Sequence, residues 1–131
     1  MLKSVKVRDY MAANLVTLSP DMEILSAIHL LVEKRISGAP VVDEHGNMVG
    51  VLSEQDCMRV ALNAGYHEEY GGHVNEYMSK NVDTVEADAS ILQLAERFIE
   101  GKYRRFPVVE NNRLVGQISR RDVLRALEHL W

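Results

Sequence analysis

An internal repeat restricts the fold of this chain more than any other feature of its sequence. The second half aligns with the first at an offset of 67 residues, which falls to 66 after a one-residue gap at residues 43–47. The segment GVLSEQDCMR at residues 50–59 thereby lies over GQISRRDVLR at residues 116–125. We expect a first repeat at 1–64, a linker at 65–73 and a second repeat at 74–131. Since domains of about 60 residues bury little surface alone, we expect the repeats to pack on each other around a pseudo-two-fold axis.

Each repeat predicts the order strand, helix, strand, strand, helix, which is an α+β fold. Residues 15–17 and 82–84 predict short extended segments, and Ser19 with Pro20 predicts the start of the next helix. Helical spacing predicts two buried stripes, which are Ile24, Ile28, Leu31 and Val32, and Ile91, Ala95, Phe98 and Ile99. Residues 39–43 and 48–52 predict a hairpin, with a second turn at Asn111-Asn112. The final helices begin after Ser53 and Ser119.

Charge and cysteine content exclude several classes of protein. The chain of 131 residues has 15 Lys and Arg against 19 Asp and Glu, a net charge of −4, which argues against nucleic acid as a bulk partner. The single cysteine, Cys57, cannot form an internal disulfide, and this favours the reducing cytoplasm. The first eleven residues lack the apolar stretch of a signal peptide, and Ser26 and His29 interrupt the apolar segment 24–32. We therefore expect no association with membranes.

The repeated motif G-x-x-S-x-x-D is the strongest local signal, and it has two interpretations. Ser followed three residues later by an acid is a capping box, which satisfies the free amides of a helix start and needs no ligand. The same amides, hydroxyl and carboxylate also suit a phosphorylated ribose, because a carboxylate accepts from vicinal hydroxyls and a helix start favours phosphate. Both roles can coexist at Ser53 and Asp56, and at Ser119 and Asp122.

Taken together, the Thr-bearing segments, the S-G-A-P-V-V and R-R-F-P-V-V hairpins and the duplicated motif resemble a tandem pair of cystathionine-β-synthase (CBS) domains, the Bateman module. The resemblance spans about Val7 to Leu127. It implies non-enzymatic binding of an adenosine-containing ligand, with AMP, ADP or ATP expected, in clefts between the two repeats. It implies ligand contacts at Thr84, Tyr103, Arg104, Arg105, Phe106, Pro107, Ser119, Arg121 and Asp122. It implies a second cleft at Thr17, Ser37, Gly38, Ala39, Pro40, Ser53 and Asp56.

Charge distinguishes the two predicted clefts. Around the second motif lie five cations, Lys102, Arg104, Arg105, Arg120 and Arg121. The corresponding positions of the first motif are Arg35, Ser37, Gly38, Glu54 and Gln55. We therefore predict that the Asp122 cleft is the better phosphate site, and that the Asp56 cleft takes a less charged nucleoside or stays empty. The alternative is that these cations are solvated at the surface or pair with Glu100 and Glu110.

Other candidates for chemistry are weaker. Cys57 lies at a helix start, where a thiol pKa can fall, but its repeat partner is Val123, which indicates a packed apolar position. The linker at 65–73 has two histidines and two acids, yet its three glycines indicate a surface loop before a metal site. His29 and His45 have no evident catalytic partner, and no nucleophile with its base is recognisable. We expect no metal and no enzymatic activity.

The sequence therefore predicts a cytoplasmic sensor of adenine nucleotides that passes its signal to another protein. We expect a homodimer built through the helices at 54–64 and 120–131. The alternatives are a ligand-free interaction module, a binder of S-adenosylmethionine or NADH, and a Mg²⁺-linked site.

Overall fold

The structure is a computed structural model that describes residues 4–67 and 71–130, with the backbone alone at residues 66 and 67. Helices and small sheets are mixed, so the α+β class is confirmed. In the first half the elements are a 3-10 helix at Val7–Asp9, α1 at Ile24–Lys34, β1 at Gly38–Val42, β2 at Met48–Ser53 and α2 at Glu54–His67. In the second half they are α3 at Val74–Tyr77, β3 at Val85–Glu86, α4 at Ile91–Glu100, β4 at Arg105–Glu110, β5 at Arg113–Ser119 and α5 at Arg120–Leu130.

The chain forms two compact units, each of which combines parts of both sequence repeats. One unit joins the N-terminal segment up to Leu15 to the chain from Asp83 onward, and the other spans Val16 to Val82. We name them the α5 unit and the α2 unit after the helix that follows each motif. Each unit thus combines the N-terminal segment of one repeat with the remainder of the other repeat.

In the α5 unit, β4 lies between β3 and β5 in a three-stranded sheet. Strand β3 is parallel to β4, and β4 is antiparallel to β5 with Arg105 opposite Ser119. The turn between β4 and β5 has positive φ at Asn111 and Asn112, as predicted. Val7 from the first repeat is fully buried in this core. The other core residues are Val85, Ala87, Ile91, Leu94, Phe98, Phe106, Val108, Ile118, Val123 and Ala126.

In the α2 unit, β1 and β2 form an antiparallel hairpin with Gly38 opposite Ser53. The predicted first strand is wrong here, because residues 15–17 are irregular and Leu18 makes a single parallel bridge to Val41. In the α5 unit the corresponding strand lies at Val85–Glu86, just after the predicted 82–84. Val74 and Tyr77 of the second repeat complete the core of the α2 unit.

The predicted start of α1 at Ser19 and Pro20 is also wrong, because α1 begins at Ile24 with Glu23 as its N-cap. The Ser19 hydroxyl instead accepts from the Asp21 amide at 3.3 Å within a local turn. Glu23 is held extended by two bonds that its neighbours make to the segment at 72–74, from the Ile24 amide to the carbonyl of Gly72 and from the Val74 amide to the carbonyl of Met22. Pairing with the segment at 72–74 therefore moves the start of α1 to Ile24.

The predicted apolar stripes are right in their period and partly wrong in their members. The buried residues are Ile24, Ala27 and Leu31 on α1, and Ile91, Leu94 and Phe98 on α4. Val32 and Ile99 are 71% and 84% exposed, respectively, because each lies one residue, about 100° of helix, past the end of its stripe.

Candidate functional site

The two G-x-x-S-x-x-D motifs form capping boxes where a strand passes directly into a helix. In the α5 unit, the Asp122 carboxylate accepts from the Ser119 amide at 2.8 Å and from the Ser119 hydroxyl at 3.0 Å. The Asp122 amide donates back to that hydroxyl at 3.3 Å. Ser53 and Asp56 make the same three bonds in the α2 unit at 2.9, 2.9 and 3.2 Å. The capping interpretation is therefore confirmed for both motifs.

An arginine three residues after each aspartate ties the motif to the segment that crosses it. Arg59 donates to Asp56 at 2.7 Å and to the carbonyl of Tyr77 at 2.9 Å. Arg125 donates to Asp122 at 3.0 Å and to the carbonyl of Tyr10 at 3.1 Å. Sequence reasoning assigned no role to these arginines, although their identical place in the repeat is a signal that could have found them.

The glycine of each motif permits a close approach of backbone. A Cβ on Gly116 would lie 2.6 Å from Met11 Sδ and 2.8 Å from the carbonyl oxygen of Ala12. A Cβ on Gly50 would lie 2.7 Å from Met78 Sδ and 2.8 Å from the carbonyl oxygen of Ser79. The Met-Ala and Met-Ser segments therefore lie directly over the two motif strands, where any side chain at the glycine would displace them.

The structure brings the predicted residues Tyr103, Arg104 and Arg105 next to the start of α5. The Arg120 amide donates to the carbonyl of Arg104 at 3.1 Å, and Arg120 Nε donates to the carbonyl of Tyr103 at 3.2 Å. Arg105 faces Ser119 across the sheet. The loop before β4 and the motif thus form one continuous surface.

That surface is strongly basic. In the described part of the chain, no carboxylate lies within ion-pair distance of its five cations, which are Lys102, Arg104, Arg105, Arg120 and Arg121. Glu110, one of the expected partners, pairs instead with Arg8 at 3.5 Å. In the α2 unit the Glu54 amide makes the matching bond to the carbonyl of Ser37 at 2.9 Å, so the backbone is alike at this point while the side-chain charges differ.

Aromatic side chains border the same loop. Phe106 is buried, with its ring 5.0 Å from that of Phe98, and the Arg97 guanidinium lies 4.4 Å above the Phe106 ring. Only the backbone of Phe106 is therefore available to a ligand. Tyr103 packs on Phe106 at 5.3 Å but remains 48% exposed. A hydrogen bond to the Asp83 carboxylate raises the pKa of Tyr103, so its phenol is a neutral donor at physiological pH.

Each of the predicted threonines lines a groove. Thr84 lines a groove of about 400 Å³ along α4, where its carbonyl accepts from Arg97 at 2.7 Å. Thr17 lines a groove of about 590 Å³ beside the turn at Asp43. Neither groove is lined by the serine or aspartate of a motif.

The remaining candidates do not form a reactive site. Cys57 is partly buried against the core, and burial, together with Asp56 and Glu54, raises the pKa of its thiol, the opposite of an activated thiol. Among the described side chains, at residues 4–65 and 71–130, no group of three His, Cys, Asp or Glu could hold a metal ion. Part of the linker, residues 68–70, lies outside the described residues. His29 pairs with Glu33 at 3.1 Å.

No helix within the described ranges has the length and apolar character needed to cross a membrane.

Comparisons with known proteins find similarity along nearly the whole chain. A family model described as CBS domain matches residues 7–63 and again residues 74–129. The chloroplastic CBS domain-containing protein CBSX2 of Arabidopsis thaliana is 28% identical over 148 residues, which cover 92% of this chain and 62% of that protein. Inosine-5'-monophosphate dehydrogenase of Methanocaldococcus jannaschii is 29% identical over 121 residues, which cover 92% of this chain and 23% of the enzyme. The chain thus spans less than two thirds of these relatives.

Solved structures are similar to this chain in fold. The crystal structure of CBSX2 in complex with AMP matches with a TM-score of 0.81 and 29% identity, and covers 96% of this chain and 98% of that one. The CBS domain pair of protein MJ0100, in complex with 5'-methylthioadenosine and S-adenosyl-L-methionine, matches with a TM-score of 0.72 and 25% identity. That match covers 97% of this chain and 98% of the MJ0100 chain.

Proposed function

This chain belongs to the CBS domain family as a tandem pair of domains, and we propose that it is a non-enzymatic sensor of an adenine nucleotide, AMP, ADP or ATP. The observation that carries the proposal is the surface at the start of α5. There a partly exposed carboxylate, the amides of a helix start and five cations with no ion-pair partner in the described chain lie together. This combination suits a ligand that carries both a ribose and a phosphate.

We assign the ribose to Asp122 and the phosphates to the arginines. Asp122 Oδ1 accepts from Arg125 and retains room for a ribose hydroxyl. Arg121 follows the first residue of α5, where its guanidinium and the helix dipole both favour an anion. The backbone of Tyr103 to Phe106 and the side chains of Thr84, Arg104 and Arg105 complete the proposed site.

The α2 unit carries the weaker site. Its motif is formed in the same way, but Glu54 and Gln55 replace the two arginines at the helix start. We infer that this site binds a nucleoside without phosphate or stays empty. Its residues are Thr17, Ser37, Gly38, Ala39, Pro40, Ser53 and Asp56. Ala39 is buried, so that position would offer its backbone alone.

The ligands bound in two related crystal structures support this class of compound. CBSX2 was crystallised with AMP, and MJ0100 with 5'-methylthioadenosine and S-adenosyl-L-methionine. The three compounds share an adenosine portion, and only AMP carries a phosphate. The cations of the α5 unit favour the phosphate-bearing member for this chain.

The substitution Asp122→Ala tests the site by isothermal titration calorimetry with AMP and ATP. Loss of a charge-assisted hydrogen bond of about 1.5 to 3 kcal/mol should weaken both affinities about tenfold or more. Glu128→Ala removes an equal charge from the exposed side of the same helix and should leave both affinities unchanged. Asp122→Asn keeps the shape and tests the charge alone. Unchanged AMP and ATP affinities in Asp122→Ala would refute the proposed site.

A thermal-shift panel distinguishes the candidate ligands. A ligand at one hundred times its dissociation constant stabilises the folded chain by about 2.7 kcal/mol. We expect AMP, ADP or ATP to raise the melting temperature more than S-adenosylmethionine or NADH, with Mg²⁺ present and absent. If no compound shifts the melting temperature, the chain is a ligand-free interaction module instead.

We propose that the signal leaves through a homodimer of this chain in the reducing cytoplasm, formed by α2 and α5. Each helix exposes apolar side chains, with Met58 61%, Leu62 54% and Leu124 62% exposed. Such side chains at a helix surface suit a self-complementary interface. A monomeric mass by light scattering at micromolar concentration would contradict the dimer.

A further inference from the structure

The two motifs sit beneath backbone of the same geometry but different side chains. In the α2 unit, Ser79 exchanges two backbone hydrogen bonds with Val51, at 3.0 and 2.9 Å. In the α5 unit, Ala12 exchanges the same two bonds with Gln117, at 2.8 and 2.9 Å. Ser79 and Ala12 are equivalent positions in the repeat. At this position the two units therefore differ by one hydroxyl group, which Ser79 has and Ala12 lacks.

That hydroxyl fills the last acceptor position of Asp56. An ionised carboxylate has about four acceptor positions. Oδ2 of Asp56 accepts from the amide and the hydroxyl of Ser53, and Oδ1 accepts from Arg59. The Ser79 hydroxyl lies 3.3 Å from Oδ1 and 3.5 Å from Oδ2. All four positions of Asp56 thus have a donor within the protein.

Asp122 retains one open position. Its Oδ2 accepts from the amide and the hydroxyl of Ser119, and its Oδ1 accepts from Arg125. Ala12 has no hydroxyl, and no other donor in the described ranges bonds to this carboxylate. The Asp122 side chain is 18% exposed, against 10% for Asp56.

We propose that position 12 or 79 determines which of the two sites accepts a ribose: Ser79 closes Asp56, and Ala12 leaves Asp122 open. This inference rests on the proposed function, since it concerns the same ribose contact. At Asp56 a ribose hydroxyl must displace the hydroxyl of Ser79. Its new hydrogen bond then only replaces the one that Ser79 made, so the net gain in binding free energy is small. At Asp122 a ribose hydroxyl adds a new charge-assisted bond. The chain therefore binds a ribose-bearing ligand more tightly at the α5 unit than at the α2 unit.

The pair Ala12→Thr and Ala12→Val tests this directly. The two side chains have nearly the same shape, and only threonine carries a hydroxyl that can reach Asp122. Ala12 is exposed and lies in an extended bridge, so both β-branched residues are compatible with its backbone. We expect calorimetry with AMP to show about tenfold weaker binding for Ala12→Thr than for Ala12→Val. Ala12→Ser should behave like the threonine variant. Equal affinities in the threonine and valine variants would overturn the inference.

The reverse change tests the α2 unit with adenosine, because that unit lacks the cations for phosphate. Asp122→Ala first weakens the α5 site, and Ser79→Ala is then added. We expect the double variant to bind adenosine at least fivefold more tightly than Asp122→Ala, whereas adding the exposed Ser26→Ala should change nothing. Equal adenosine affinities with and without Ser79→Ala would overturn the inference.

The proposed function and this inference fail in different ways. If Asp122→Ala leaves AMP binding unchanged, the proposed site is wrong. If Asp122→Ala weakens AMP binding but the threonine and valine variants at position 12 agree, the site stands and only the role of this position is wrong.

Discussion

Substitution of Gly116 by alanine should destabilise the α5 unit, because the added methyl group overlaps a segment that is distant in sequence. Gly116 is buried in β5, and the added Cβ would lie 2.6 Å from Met11 Sδ and 2.8 Å from the carbonyl oxygen of Ala12. The methionine side chain can rotate away. The carbonyl cannot move alone, because Ala12 exchanges two hydrogen bonds with Gln117 at 2.8 and 2.9 Å.

The loss of free energy of unfolding can be estimated from the overlap and from the hydrogen bonds that the added methyl group weakens. Forcing a methyl group into a packed core costs about 1 to 3 kcal/mol. Displacing the Ala12 segment weakens two backbone hydrogen bonds, each worth about 0.5 to 1.5 kcal/mol. Because part of the overlap is relieved by that displacement, we expect the free energy of unfolding to fall by about 2 to 4 kcal/mol. For a chain of this size, at about 4 °C per kcal/mol, the melting temperature falls by roughly 8 to 16 °C.

Urea denaturation and a thermal melt, both followed by circular dichroism, measure this effect. Gly65→Ala is the matched control, because Gly65 lies in α2 and a Cβ added there would meet no described atom within 4 Å. An alanine there should stabilise the chain by about 0.5 to 1 kcal/mol by restricting the unfolded state. If Gly116→Ala unfolds within about 0.5 kcal/mol of the wild type, the argument from close backbone approach is refuted.

Three further predictions concern the exchanged segment, acid stability and the thiol. Val7→Ala should lower the free energy of unfolding in urea by about 2 kcal/mol, since Val7 is fully buried in a core built mainly by the other repeat; an unchanged midpoint would contradict this. Hydrogen bonding to Arg8 at 2.6 Å lowers the pKa of Asp88 in the folded chain. The ionised Asp88 therefore stabilises the folded chain fully above pH about 4, and this stabilisation is lost as the pH falls through the lower pKa of the folded state. Asp88→Asn should therefore lose less stability than the wild type between pH 5 and 2 in urea titrations, and equal slopes would show that this pair is not involved. Cys57 should react with a disulfide reagent at pH 8 more slowly in the folded chain than in urea, because burial raises its thiol pKa; equal rates would argue against it.

Local features of the fold were predictable because they depend on residues close together in sequence. The capping boxes at Ser53 and Ser119 need only a serine and an acid three positions apart. The turn at Asn111 and Asn112 needs only residues that tolerate positive φ. The buried stripes follow from the helical period, although Ile28 and Ala95 are only partly buried and Val32 and Ile99 lie past the edge of each stripe.

The candidate site was only partly predictable. The repeat and the clustered arginines located the start of α5, because the residues before β4 and after β5 meet wherever those two strands pair. The roles of Arg59 and Arg125 were missed, since each reaches a carbonyl from a segment distant in sequence. The contact between Ser79 and Asp56 was missed for the same reason.

By itself, the sequence determined that this chain is a tandem repeat with two capped helix starts of unequal charge. Those properties depend on residue type and short spacing, which the chain carries in any conformation. Only the tertiary structure decided that Val7 and Val74 each complete the core of a unit built mainly from the other repeat. It also decided that α1 begins at Ile24, and that a hydroxyl covers Asp56 but not Asp122. These outcomes depend on contacts between distant segments, which form only when the chain buries its apolar surface and must pair every backbone group at once.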